Sequence, residues 1–548
     1  MKWRKGISMK KRLLSLLLAS IMVLSLVACG NTDVEGEVAS TETRVKVENY
    51  VPTYPIVEEK ITVTGLVVGA DTTVSASERQ VWNEVEAITN IHVEWENIDN
   101  DAFSTRLASG QWPDIIVKNM GQTAMYDYGV LGGRLVNFLD YIDIMPNLKK
   151  TFEDYPHTLA YSTQLNGAVY NFFRVSGPHP TSVGCRPHYL KHVLAKAGVE
   201  KAPTTIDEFY DALVKCKEFY GEPAYMHFKN ESSHTQSIFG AFGDLTQMDF
   251  SDLGDGKLIF ARTSEQMKLY LEFMHKLYDE ELMHREYLTL DNAAMLKLTQ
   301  GGTIAFPAQG SVSSLTLDDL DGDWDNIGTL TPLTSEYDPE AELCAYGDYN
   351  NTSGYHVNAD SPYVEEICKM LDIMWATEEV VPGSNLYGTN FATGPEHITW
   401  TDNGDGTYTQ HIPDGFKSKD TWVSQVYHWG TCGRNDAIAG LVTDNPCNKK
   451  AREVGYMENI MPYMNDILVN IDQMKFTEDE QYVIDNKWGE IKSYYQQMEA
   501  EFISGATDIA TGWDAYVERL DQMGVADVQE VFQAAYDRYL NDMAALSK

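Results

Sequence analysis

No two of the seven cysteines in this 548-residue chain stand in a C-x-x-C spacing. A zinc knuckle and a thioredoxin-like redox pair are thereby excluded, and seven cysteines are too few for a disulfide-built scaffold. Basic residues are scarce as well: 42 Lys and Arg stand against 81 Asp and Glu, a net charge of −39. So acidic a chain repels nucleic acid and anionic membrane surfaces, and neither is expected as a partner. Nucleophile elbows (G-x-S-x-G), H-E-x-x-H zinc helices and P-loops are all absent. Long apolar runs are missing too, with one exception at Leu13 to Ala28, broken only by three serines. That run is shorter than the ~20 residues a membrane-spanning helix needs.

The exception sits behind six basic residues, from Lys2 to Arg12, with no acid before Cys29. A basic start, an apolar core and small residues before a cut make an export signal. The stretch Leu26-Val27-Ala28-Cys29 resembles the lipobox of bacterial lipoproteins. The resemblance implies cleavage after residue 28 and a diacylglycerol on the thiol of Cys29. Met9 is an alternative start that keeps the same layout. Acyl chains contribute ~0.8 kcal/mol per buried CH₂, so two or three hold a soluble domain at the membrane. Residues 29–59, rich in Thr, Glu and Val with Pro52 and Pro55, read as a flexible tether. The mature chain carries 36 Lys and Arg against 81 acids, a net charge of −45.

Regular structure is expected from Lys60 onward. Ile61 to Val68 reads as a buried strand, Ser77 to Asn90 as an amphipathic helix, and Ile91 to Ile98 as a second strand. Phe103 and Leu107 share a helix face ending at Gly110, and Pro113 to Val117 is a third strand. Thr205 and Glu208 predict a capping box before a long helix. Gly354 to Asp360 reads as a strand, and Pro362 as the first position of a helix reaching Glu379. The last ~75 residues are helical by pattern, with Thr477 and Glu480 as a further capping box. Trp82, Trp375, Trp488 and Trp513 fall on apolar helix faces and read as core. The class is α/β with C-terminal helical additions.

The segments LASGQWPDIIV, LVNFLDYIDIMPNL, LNGAVYNF, AGVEKAPTTIDEFYDALVKCKEF and WDAYVERL, in that order, resemble the extracellular solute-binding proteins of family 1, in particular the large lipoproteins of Gram-positive bacteria. The resemblance implies a two-lobed periplasmic-binding-protein-like fold with hinge strands and a ligand cleft. It implies a monomer without enzymatic activity or cofactor, lipid-anchored on the extracellular face, passing its ligand to the permease subunits of an ABC importer. On that pattern lobe one spans 60–172 and 304–379, and lobe two 173–303 and 380–548. The crossings fall at Leu165 to Phe173, at Gln300 to Gly310 and after Glu379.

Metal readings are weak. His188 and His192 at an i, i+4 spacing lack a third ligand and read as surface histidines on one helix. DDLDGDW (Asp318 to Trp324) and DNGDG (Asp402 to Gly406) do not close an EF-hand register, and the second reads as a hairpin turn between Trp400 and Tyr408. Cleft candidates come instead from aromatic and polar residues in segments without a clean period. They are Asn119, Tyr126 and Tyr128 after the third strand; Phe172 and Arg174 at the first crossing; and Gln309 at the second. Tyr387, Asn390, Trp422, His428, Trp429 and Arg434 complete the set. Aromatic rings suit the C–H face of a sugar, which makes an oligosaccharide the expected ligand. A peptide receptor and a surface glycoside hydrolase are the alternatives.

Overall fold

The computed structural model describes residues 46–69, 75–176, 187–227, 233–307, 315–340, 342–344, 350–404, 408–416, 419–428, 433–435, 441–442, 458–465, 469 and 474–546. Signal segment, Cys29 and most of the tether lie outside these residues, as do Gln309 and Trp429.

ITVTGLVV forms β1 (Ile61–Val68) and IHVEWENI forms β2 (Ile91–Ile98), parallel and paired from Ile61–Ile91 to Val68–Ile98. Between them runs α1 (Gln80–Thr89), which buries Val81, Trp82 and Val85. Next comes α2 (Asn100–Ala108), burying Phe103 and Leu107; Gly110 follows it at φ +78°, a left-handed conformation glycine tolerates. β3 (Ile115–Lys118) pairs parallel with β1. Three more strands, β4 (Phe172–Ser176), β5 (Asn350–Val357) and β6 (Gly433–Asn435), complete a sheet ordered β6-β4-β5-β3-β1-β2. β5 is antiparallel to both neighbours, and the other five strands point one way. Ahead of β4 lie α3 (Pro146–Asp154) and α4 (Pro156–Ser162), each opened by proline.

Both faces of this sheet are covered, so β1 is apolar on both sides at its end. Val63 and Val67 pack with α1 and Trp95 in the larger core, whereas Leu66, Val68 and Ile116 pack with Phe103 and Leu107 on the other face. Gly65 follows from this packing: a Cβ there would lie 2.3 Å from the Trp95 ring.

A second core gathers α5 (Ile206–Tyr220), α6 (Glu265–Asp279), α7 (Gly489–Ser504), α8 (Ile509–Gln522) and α9 (Val525–Leu546). The expected helical C-terminal region is present, and Trp488 and Trp513 are buried in it. The Thr477–Glu480 capping box is complete. At α5 only half of the expected box forms: Thr205 accepts from the Glu208 N–H, while the Glu208 carboxylate takes the N–H of Thr204.

Lobe boundaries differ from the expected ones. Ala305, Phe306, Leu320 and Leu333 belong to the second core, not the first, because Ala305 and Phe306 donate backbone hydrogen bonds to Ala224 and Leu190 donates to Ala305. Leu386, Phe391, Trp422 and Tyr427 belong to the first core, not the second. The chain therefore crosses between residues 176 and 190, returns between 333 and 350, and leaves again between 435 and 469.

Two local expectations also change, and a third holds. His188 lies on a short strand, His188–Leu190, and His192 in the helix after it; both are buried, not surface residues. The helix after Pro362 runs only from Val364 to Leu371 and tightens to a 3-10 turn ending at Trp375. Trp400–Asp402 and Tyr408–Gln410 pair as the expected antiparallel hairpin, with the Trp400 and Tyr408 rings 5.4 Å apart. No helix among the described residues is long and apolar enough to cross a membrane.

Candidate functional site

The sheet order β2-β1-β3 contains a reversal. α1 packs on one face of the sheet and α2 on the other, so the connections leaving β1 and entering β3 diverge. At such a reversal a crevice opens beyond the carboxyl ends of the two strands. Here that edge is formed by Gly69, whose N–H donates to Ile98 at 3.0 Å, by Asn100, and by Lys118 and Asn119. Lys118 donates from Nζ to the side-chain oxygen of Asn100 and lies 5.0 Å from the centre of the Phe103 ring. Burial lowers its pKa. Asn119 is exposed and accepts from the N–H of Gly121 at 3.1 Å.

Immediately beyond this edge, Gly121–Met125 forms a short helix that widens into a π-turn at Tyr126–Leu131. Gln122, Thr123, Tyr126 and Asp127 make one wall of a groove of about 270 Å³. The opposite wall, from the second lobe's side, carries Phe476, Glu478, Gln481, Tyr482 and Asp485. Gln164, Leu165 and Lys475 also border it, and these three are shared with an adjoining cavity of about 280 Å³. That cavity is bordered by α4 and α9, whose Tyr161 and Tyr539 rings stack 5.2 Å apart.

The groove lining is more apolar than polar, but it carries an unsatisfied polar group. Among the described residues the side-chain oxygen of Gln122 is buried with no hydrogen-bond partner, and so, away from the groove lining, is that of Asn171, just before β4. Leaving a buried acceptor unpaired costs about 1–3 kcal/mol, so both oxygens favour an incoming donor. Lys475 donates from Nζ to the Ala160 carbonyl at 2.6 Å, and burial lowers its pKa to about 8. Tyr482 is 70% exposed, and Leu131 is exposed as well. A large aromatic left in water beside amides and carboxylates is the surface a hydroxylated ring can use. Among the described residues no cluster of three or more His, Cys, Asp or Glu could hold a metal ion.

Of the expected cleft residues, Tyr126 lines the groove, whereas Asn119 is exposed just after β3 and does not line it. Tyr128 turns away, edge-on to Trp112 at 5.2 Å. Phe172 and Arg174 lie on β4, opposite Tyr355 and Asn351 of β5; their side chains lie outside the described residues. Tyr387 is half-buried at the start of the helix Gly388–Thr393. Four others are drawn into the first lobe instead. Asn390 is fully buried, donating to Asn385 at 2.7 Å and accepting from the Trp400 indole. Trp422 stacks on Tyr427 in the core. His428 is bonded to the Tyr355 hydroxyl at 2.8 Å and to the Phe391 carbonyl at 3.1 Å. Arg434 pairs with Asp154 at 2.7 Å and covers the Tyr155 ring. Their irregular spacing reflects packing across loops rather than exposure to a ligand.

Sequence reasoning missed Lys118, Gln122, Gln164, Lys475 and Tyr482. Lys118 and Gln122 had a signal, since they flank Asn119 directly after the third strand. Tyr482 had none, because a helical tyrosine reads the same whether it faces core or solvent.

No family model matches the chain. Over 555 aligned residues it is 24% identical to the fructooligosaccharide ABC transporter substrate-binding protein FusA of Streptococcus pneumoniae serotype 4, covering 96% of this chain and 97% of that one. Over 223 residues it is 27% identical to the lipoprotein LipO of Bacillus subtilis, covering 37% and 40%. Among solved structures, an HMO-binding, ABC-transporter-associated solute-binding protein from Bifidobacterium longum infantis superposes with a TM-score of 0.69 at 17% identity, over 88% of this chain and 99% of that one. FusA in complex with kestose gives 0.68 at 19%, over 88% and 100%. The resemblance to family 1 solute-binding proteins thus extends along almost the whole chain, and the fold is the one these solute-binding proteins share.

Proposed function

We propose that the protein is a lipid-anchored receptor for an oligosaccharide, held by Cys29 on the outer face of the cell membrane and serving the permease subunits of an ABC importer. The observation that carries this reading is the groove between the two cores. It offers the Tyr126 and Tyr482 rings beside Gln122, Asp127, Gln481 and Asp485. Sugar C–H faces pack on such rings, and each hydroxyl taken out of water needs an amide or carboxylate partner. Support for the ligand class comes from relatives named for fructooligosaccharides, HMOs and N-glycans. Lobe closure around the ligand then needs no covalent chemistry.

Calorimetry with a panel of neutral and acidic oligosaccharides tests the ligand. Stoichiometric retention without turnover is the expected result; tight binding of peptides alone, or hydrolysis of the sugars, would overturn it. The anchor has its own test: Cys29→Ser is expected to leave the membrane fraction or remain uncleaved, and a mature N-terminus free of acyl chains in mass spectrometry would refute it.

A further inference from the structure

Lys118 stands out in so acidic a chain. It ends β3 at the reversal between β1 and β3, where a ligand is expected beyond the strand ends. Its Nζ is bonded to the neutral Asn100 side chain and lies over Phe103. Only burial acts on its pKa, and no carboxylate among the described residues contributes to it or pairs with it. Arg106, Arg134, Arg262 and Arg434, by contrast, each pair with a carboxylate. Two acids on the segments that flank this edge are engaged elsewhere. Asp99 caps α2 through the Ala102 N–H, and Asp114 accepts from Thr64 and Ser361. A half-buried ammonium without a counter-charge is costly, and an anion placed beside it removes that cost.

We infer that Lys118 is a specificity-determining residue of the cleft, and that the ligand is an oligosaccharide bearing a carboxylate on the unit that reaches the β1–β3 edge. The inference rests on the oligosaccharide reading above and narrows it. In the bound state Nζ donates to the ligand carboxylate, with the Asn100 side chain beside it. Lys475, the other half-buried lysine of the site, does not compete for this role: it is spent on the Ala160 carbonyl, with Asp542 nearby.

The test compares four sugars by calorimetry: trigalacturonate and sialyllactose as acidic probes, kestose and lactose as neutral ones. At least one acidic probe is expected to bind the wild type more tightly than either neutral sugar, with an affinity that falls as salt is raised. Lys118→Met is expected to weaken that acidic probe ~10- to 100-fold, the range of one charge-assisted hydrogen bond. Any neutral binding should weaken far less than acidic binding does, and Lys118→Arg should retain most of the acidic affinity. Melting curves on both variants separate loss of fold from loss of charge. Neutral sugars binding best, or an acidic probe indifferent to Lys118→Met in a folded protein, overturns the inference while the oligosaccharide reading stands. If no sugar binds at all, both fall together.

Discussion

The two lobes solve the same problem with different materials. In the first, the centre of the core is a neutral aromatic cluster: Trp82 and Trp95 lie 4.8 Å apart, and His428 stacks on Tyr355 while bonded to its hydroxyl. In the second, Arg262 is buried between Asp249 at 2.8 Å and Glu499 at 2.7 Å, with the Tyr495 ring against its guanidinium and the Tyr495 hydroxyl on Asp249. Burial pushes Glu499 up and Arg262 pulls it down. The lesson is one of fault tolerance. An aromatic cluster loses area when one member shrinks, whereas a buried ion triad leaves uncompensated charge when one member goes.

The sharpest way to break the comparison is therefore Arg262→Leu. It strands two carboxylates and should cost about 3–5 kcal/mol, read as a lower midpoint in urea. Replacing Arg262, Asp249 and Glu499 together by apolar residues should recover much of that loss.

A second effect belongs to the first lobe and depends on pH. Asp372 is buried and accepts from the N–H groups of Asn147 and Leu148 at the start of α3, yet burial pushes its pKa up to about 7. The native state then holds a proton that the unfolded chain releases near pH 4. Stability attributable to this group should fall as pH rises from about 4 to about 7, by up to ~4 kcal/mol, and level off above. Asp372→Asn keeps an acceptor for α3 and should flatten the profile; an unchanged slope would mean the helix start holds the carboxylate ionised.

Smaller still is Tyr355→Phe, which removes one hydroxyl from the His428 nitrogen and should cost about 1 kcal/mol. The same deletion at Tyr495, which faces the buried charges, should cost about 1.5–3 kcal/mol. Equal losses would dissolve the distinction between the lobes. Least disruptive to the fold is Tyr482→Ala, exposed on the groove wall: stability should stay within ±0.5 kcal/mol, about the usual range for a surface site. Sugar affinity should still drop about fivefold, roughly 1 kcal/mol.

These contrasts mark what was legible beforehand. β1, β2 and β3 were readable to within a residue or two because period-two alternation and long apolar runs are local properties, and local pattern dictates the pleat. The Thr477 cap and the Trp400–Tyr408 hairpin were readable for the same reason. Trp82, Trp375, Trp488 and Trp513 declared themselves core by their helical spacing. His428, Asn390 and Arg434 did not, because their partners Tyr355, Trp400 and Asp154 are remote or looped in sequence, and no local rule links them.

The sequence by itself determined the elements, the excess of acid, the apolar run before Cys29 and the number of lobes a chain of this length would fill. Only the tertiary structure decided which lobe receives residues 304–333 and 386–427, because that choice rests on backbone pairing with Ala224 and on side chains meeting across more than 300 residues, as Arg79 meets the carbonyl of Gln425. It also decided which polar residues face a groove and which are consumed in packing. A side chain's chemistry is written in the sequence, but whether that chemistry is free for a ligand depends on who else has claimed its hydrogen bonds.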